Sequence, residues 1–249
     1  MISVAEAQTL ALALVSPLPS EVVRLQGAAG RVLAEPVFAK LRQPPFAASA
    51  MDGYAVLGDP GPGTSLTVIG EAVAGRRYNG TVTPGQAVRI FTGAPVPKGA
   101  TRVLLQEDVT ASGSRITLNA PAGGPSNIRA AGQDFDLGAA VTPRLLRPAD
   151  LALLAAMNHA SVPVTRRPVV AIMATGDELV MPGGAPGPDQ IVSSNSFALK
   201  AMVEAAGGTA RLLPIAADTE ESLRTVFGLA AGADLVVTIG GASVGDHDL

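Results

Sequence analysis

Cysteine is absent from this 249-residue chain and histidine occurs only twice. Without thiols there can be no disulfide framework, zinc–thiolate centre, iron–sulfur cluster or thiol nucleophile. Two histidines leave little room for a metal site built from imidazoles. Charge is also scarce: Asp, Glu, Lys and Arg make up 16% of residues, against roughly 25% in an average protein. The net charge of −3 speaks against a generic polyanion binder. No stretch of about 18 residues is free of polar side chains, so no membrane span is expected. The apolar first 15 residues are interrupted by Glu6 and Gln8 and lack a basic leading region, so they do not read as a signal peptide. These absences predict a soluble, cytoplasmic protein with neither a nucleic-acid nor a membrane partner. What is plentiful is apolar material, 47% of residues, enough for more than one core.

The texture changes along the chain. Residues 3–15 read as a helix: Ser3 and Glu6 have capping-box spacing. Val4, Ala7, Leu10, Ala11 and Leu14 recur at helical period, and Pro17 and Pro19 end it. Two extended pieces follow, Val22–Leu25 and Arg31–Ala39, around a turn at Gly27–Gly30. Between 65 and 145 short β-type runs appear at Leu66–Ile69, Ala87–Phe91, Arg102–Gln106 and Arg115–Leu118. Each is bounded by Gly, Pro, Asn or Ser, which suggests a small barrel or sandwich. Pro148 opens a helix over Ala149–Met157, and Arg166–Pro168 looks like a boundary. Beyond it, Val169–Ala174 is a continuous apolar run, as for a strand buried on both faces. A helix at Ser196–Ala206, a strand at Arg211–Ala216, a helix at Thr219–Ala231 and a strand at Asp234–Ile239 complete a pattern that implies a parallel sheet with right-handed crossovers.

Ligands in open α/β sheets bind beyond the carboxyl ends of strands. Two loops fall there: Thr175-Gly176-Asp177-Glu178-Leu179, and the run Gly240, Gly241, Ala242, Ser243, Val244, Gly245, Asp246, His247, Asp248. Glycine lets backbone N–H groups approach phosphate, and Ser243 adds a hydroxyl. Carboxylates beside such a cradle make sense with a divalent cation such as Mg²⁺ between them. Plainer readings stand beside this one. The Gly-Gly pair can be a tight turn, Asp177 and Glu178 solvated charges, Asp218 or Thr219 a helix cap, and His247 an exposed side chain. In the β-rich half, Pro44–Ala55 reads as a buried connector with Asp52 capping a turn before Gly53. Phe91–Pro97 is a proline-braced turn, and Arg129 and Asp134 are spaced for a loop ion pair.

The segments Ser49-Ala50-Met51-Asp52-Gly53-Tyr54-Ala55, Phe91-Thr92-Gly93-Ala94-Pro95-Val96-Pro97, Asn127-Ile128-Arg129 through Gly132 and Asp134, Thr175–Leu179 and Gly240–Asp248, in this order, resemble the molybdopterin molybdenumtransferases, the MoeA family of molybdenum insertases. The resemblance implies insertion of molybdate into adenylylated molybdopterin with Mg²⁺ and release of AMP. It further implies an elongated homodimer and, as supplier of substrate, a molybdopterin-adenylylating enzyme. The family's functional residues fall on Asp52, Thr92, Arg129, Asp134, Glu178, Asp218 and Asp248. Glu178, Asp218 and Asp248 are the candidates for the metal. Thr175, Gly176, Asp177, Ser194, Asn195, Gly240, Gly241, Ser243 and Gly245 are the candidates for holding the pterin nucleotide. The implied fold is multi-domain, α/β plus β. Residues 1–42 and 138–166 would form a discontinuous N-terminal helical and dimerisation domain, and 43–137 an inserted, barrel-like β domain. Residues 167–249 would form the first part of a three-layer α/β/α molybdopterin-binding domain. Family members continue for well over a hundred residues further, so the chain reads as a fragment and, by itself, as a poor insertase. An adenylyltransferase-like enzyme would share the α/β part without needing residues 40–145. A non-catalytic scaffold would keep the dimer without needing the carboxylates.

Overall fold

The computed structural model describes residues 2–240. It divides into two compact units, one of residues up to 35, 143–148 and 161 onward, the other of residues 36–142 and 149–160.

In the first unit the capping box forms as spaced. The Glu6 N–H donates to Ser3 Oγ at 3.2 Å and the Ser3 N–H donates to Glu6 Oε2 at 2.8 Å, opening a helix over Val4–Ala13 that buries none of its side chains. Ser20–Arg24 then pairs antiparallel with Ser161–Thr165, from Ser20 opposite Thr165 to Arg24 opposite Ser161. This second strand was not anticipated. It contains Pro163, whose backbone faces away from Ser20–Arg24, its carbonyl accepting the Ala34 N–H at 3.1 Å, so the missing N–H costs that pairing nothing. Arg31, 8% exposed, clamps the ribbon by donating to Glu21 Oε1 at 2.5 Å and to the Thr165 carbonyl at 2.9 Å.

The α/β part of this unit has a parallel sheet in the order Thr209–Leu212, Val169–Ala174, Leu235–Ile239. The apolar run is the central strand, buried from Val170 to Ala174. The strand expected at Arg211–Ala216 lies earlier, at Thr209–Leu212, because Gly207 and Gly208 close the Asn195–Ala205 helix and the chain extends at once. The helix Glu220–Leu229 is capped by Thr219, whose Oγ1 accepts the Ser222 N–H at 3.2 Å, so Asp218 is left outside the cap. The boundary at Arg166–Pro168 holds the sheet. Arg166 Nη1 and Nη2 donate to the two carboxylate oxygens of Asp234 at 2.9 and 2.6 Å, and the Val169 N–H adds a third bond at 2.8 Å. The guanidinium first, and that N–H second, hold the Asp234 carboxyl down to about 2.

The second unit is built on a six-stranded sheet in the order Arg102–Leu105, Gly53–Val56, Gln86–Ile90, Ser65–Ala72, Arg115–Leu118, Val109–Ser112. Successive strand residues point to opposite faces. Accordingly Ala55, Val88, Ile90 and Val103 join one apolar cluster, and Val56, Ala87, Leu104 and Ile116 join another. The segment expected as a connector after Asp52 is instead an inner strand. Gly53 makes that possible, since a Cβ there would lie 1.7 Å from the Leu104 carbonyl oxygen. The helix Pro148–Ala156 buries Leu154. No helix among the described residues is long and apolar enough to cross a membrane.

Candidate functional site

In the β-rich unit the three motif segments interlock through their backbones. The Ser49 N–H donates to the Ala94 carbonyl at 2.9 Å, the Gly93 N–H to the Ser49 carbonyl at 2.8 Å, and the Ala50 N–H to the Asn127 carbonyl at 2.9 Å. Ser49 itself is buried, with Oγ donating to the Met51 carbonyl at 2.6 Å. This frame brings Asp52 to Thr92. Asp52 Oδ1 accepts both the Thr92 N–H and the Thr92 hydroxyl, each at 2.8 Å. That N–H, then the hydroxyl, with the nearby Arg89 charge adding to them, hold the Asp52 carboxyl below the usual carboxylate range. The cap at Asp52 is therefore made across the sheet rather than on its own turn. Arg129 and Asp134 form the ion pair that their spacing suggested, Nη2 to Oδ1 at 2.5 Å, and both remain nearly half exposed.

In the α/β unit the loop after the central strand is pinned on both sides. The Thr175 N–H donates to the Ile239 carbonyl at 3.0 Å and the Gly176 N–H to the Ala216 carbonyl at 3.1 Å. Thr175–Leu179 thus lies between Gly240 and the Ala216–Thr219 turn. Gly176 has φ +141°, and a Cβ on it would sit 2.4 Å from Glu178 Oε2; a Cβ on Gly240, φ +99°, would sit 2.8 Å from the Thr175 carbonyl oxygen and hydroxyl. Gly240 is the glycine that lets the two strand ends meet, while Gly176 takes a left-handed backbone and leaves room for the Glu178 carboxylate on its own loop. Asp177 Oδ1 accepts the Asp218 N–H at 3.1 Å, joining the loops that carry Glu178 and Asp218.

Ser194 occupies the N-cap position of the Asn195–Ala205 helix without making a side-chain cap bond. Asn195 lines a cleft of about 280 Å³ with Ala198, Leu199 and Ile239, so the helix start and the end of the last described strand share one opening. Gly241, Ser243, Gly245 and Asp248 lie outside the described residues, as do Ala242, Val244, Asp246 and His247.

Among the described residues no three Asp, Glu, His or Cys side chains gather as a metal-ligand set. Mg²⁺ takes oxygen donors and is commonly held by one or two carboxylates beside substrate phosphates. The exposed Glu178 and Asp218 carboxylates on adjoining loops fit that donor chemistry. The residue that sequence reasoning passed over is Arg89. Its guanidinium lies over the Tyr54 and Phe91 rings, 4.9 and 4.7 Å from their centroids. The available signal was one cation in the otherwise apolar core of the strand Gln86–Ile90.

Comparison with known proteins places this geometry among relatives. A family described as "MoeA N-terminal region (domain I and II)" matches residues 2–158, and one described as "Probable molybdopterin binding domain" matches residues 171–249. A molybdopterin molybdenumtransferase of Nostoc sp. is 40% identical over 239 residues, covering 92% of this chain and 55% of the relative. One of Haemophilus influenzae is 37% identical over 237 residues, covering 93% and 59%. The chain therefore spans a little over half the length of these curated relatives. A crystal structure of the molybdopterin biosynthesis MoeA protein from Pyrococcus horikoshii OT3 superposes with a TM-score of 0.87 at 34% identity, over 96% of this chain and 66% of that one. A second structure of the Pyrococcus protein gives 0.83 at 31%, over 97% and 64%.

Proposed function

Because the chain belongs to the MoeA family, we propose that it acts in molybdenum cofactor biosynthesis as a molybdopterin molybdenumtransferase, inserting molybdate into adenylylated molybdopterin with Mg²⁺ and releasing AMP. The observation that carries this reading is the meeting of two glycine-bearing strand ends, Thr175–Gly176 against Gly240, with Glu178 and Asp218 on adjoining loops. The reaction breaks a pyrophosphate link, so negative charge grows on phosphate oxygens. When bound at Glu178 and Asp218, with Asp248, Mg²⁺ would neutralise that charge as a Lewis acid. Thr175, Gly176, Asp177, Ser194, Asn195 and Gly240, with Gly241, Ser243 and Gly245, would bind and orient the pterin nucleotide. Arg129, held by Asp134, offers a planar donor to an oxyanion, and Asp52 with Thr92 offers a fixed hydroxyl and an ionised acceptor.

The finer architecture we assign is a homodimer with a discontinuous N-terminal domain, an inserted barrel-like domain and the start of a three-layer α/β/α domain. Its substrate would come from an adenylylating enzyme. The match of residues 2–158 to the MoeA N-terminal region favours this reading over an adenylyltransferase, which would not need that region.

Binding is tested on the 249-residue chain, and turnover on a version lengthened to the span of its relatives. Adenylylated molybdopterin should bind the chain. Glu178→Gln should lower AMP release roughly 100-fold, the scale of losing one electrostatic contact to developing charge, while the melting temperature holds. No binding by the wild-type chain, or full AMP release by Glu178→Gln, would overturn the reading.

A further inference from the structure

We infer that Arg89 is a positioning residue that clasps the two turns bearing Asp52 and Thr92, an inference that rests on reading this pair as part of the transferase site. Arg89 lies on the strand Gln86–Ile90 directly opposite Tyr54. Its Nη1 donates to the Gly53 carbonyl at 3.2 Å and its Nη2 to Gln106 Oε1 at 2.7 Å. Its guanidinium carbon lies 4.9 Å from the Tyr54 ring centroid and 4.7 Å from that of Phe91. Gly53 and Tyr54 directly follow Asp52, and Phe91 directly precedes Thr92. One planar cation therefore touches the neighbours of both residues, 40 positions apart in the chain.

The clasp depends on guanidinium geometry. A flat, delocalised cation can lie over rings and still aim its N–H groups in its own plane at two separate acceptors; an ammonium on a flexible stem cannot do both. The side chain is part-buried, and no carboxylate forms an ion pair with it among the described residues. Its positive charge nevertheless favours the ionised form of the nearby Asp52, the form that accepts the Thr92 N–H and hydroxyl. Arg89 need not touch substrate to matter, since it sets the distance between two groups that would.

The test uses Arg89→Gln and Arg89→Lys, with Arg115→Gln as control. Arg115 bonds Ser65 elsewhere on the same sheet. In the amide correlation spectrum of the 249-residue chain, the Thr92 signal should move in both Arg89 variants and stay in place in the control. In the lengthened version, kcat for AMP release should fall about 10- to 100-fold with KM within about threefold, the expected mark of misplaced groups rather than lost binding. Lysine should not restore it. A Thr92 signal unmoved in folded variants, or kcat within about twofold of wild type, overturns the inference. If neither Arg89 variant folds, Phe91→Leu removes one ring and keeps both hydrogen bonds. It should still shift Thr92, and an unshifted signal there counts against the clasp. Absence of AMP release by the wild type would strike the transferase reading, leaving the Thr92 signal to judge Arg89.

Discussion

In the six-stranded sheet, neighbours such as Ala55 and Val56, Ala87 and Val88, or Val103 and Leu104 are buried into clusters on opposite faces. In the three-stranded parallel sheet only the central strand is buried nearly throughout; on the flanking strand Leu235–Ile239, Leu235 is 52% and Val236 37% exposed. Both sheets are written in similar apolar letters. The difference teaches that an apolar strand residue is energetically committed only where the face it points to finds cover, and that side-chain chemistry alone does not say which strands have it.

Truncating one residue in each sheet should separate them most clearly. Ile90→Ala, at a position with no exposed surface, should cost about 3–4 kcal/mol as lost transfer energy and a cavity. Val236→Ala should cost under about 1 kcal/mol. Urea unfolding of the two variants checks this, and equal losses would break the contrast. Next, Gly53→Ala forces a methyl group against the Leu104 carbonyl and should cost about 2 kcal/mol by overpacking. The melting temperature should fall, and an unchanged value would mean the strands can part freely. On the α/β side, Thr219→Ala removes the helix cap and should cost about 1 kcal/mol, again read by urea unfolding.

The smallest effect should be acid-dependent. The Asp234 carboxyl titrates near 2 when folded and near 3.8 when free, so the unfolded chain binds the extra proton between these values. Its contribution is complete above about pH 4, declines as pH falls, and is gone below about 2. The Arg166–Asp234 side chains are 38% and 22% exposed, so solvent screening keeps the effect small. Arg166→Gln should flatten the acid limb of a plot of unfolding midpoint against pH between 2 and 5. An unchanged limb would show that the pair contributes nothing.

How legible these features were depends on how far apart their causes lie in the chain. The Ser3–Glu6 box and the Val169–Ala174 strand were readable because each is caused by residues within a few positions, whereas the helix cap was narrowed only to Asp218 or Thr219 and the structure chose Thr219. The strand Gly53–Val56 was hidden because its reason is the close approach of Leu104, about fifty residues on. The pairing of Asp234 with Arg166, 68 residues apart, left no local trace. In the site, glycines at strand ends pointed to Thr175–Leu179 by general rule. Asp52 and Thr92 stood out only by family resemblance, and Arg89 looked like an ordinary strand residue because its role exists only once two turns are folded around it.

The ribbon that pairs Ser20–Arg24 with Ser161–Thr165 has a consequence for the order of events during synthesis. At roughly 5–20 residues per second, the first of these strands emerges from the ribosome on the order of ten seconds before its partner exists. Everything in the second compact unit is translated in that interval. A segment carrying Val22 and Val23 must therefore wait, unpaired, while another body of chain completes its own sheet. Closing so long a loop as a flexible chain carries an entropic cost that grows with the logarithm of its length. A loop already condensed into a folded body has fewer effective links, so early maturation of the intervening unit would shorten the search by which the two ends find each other.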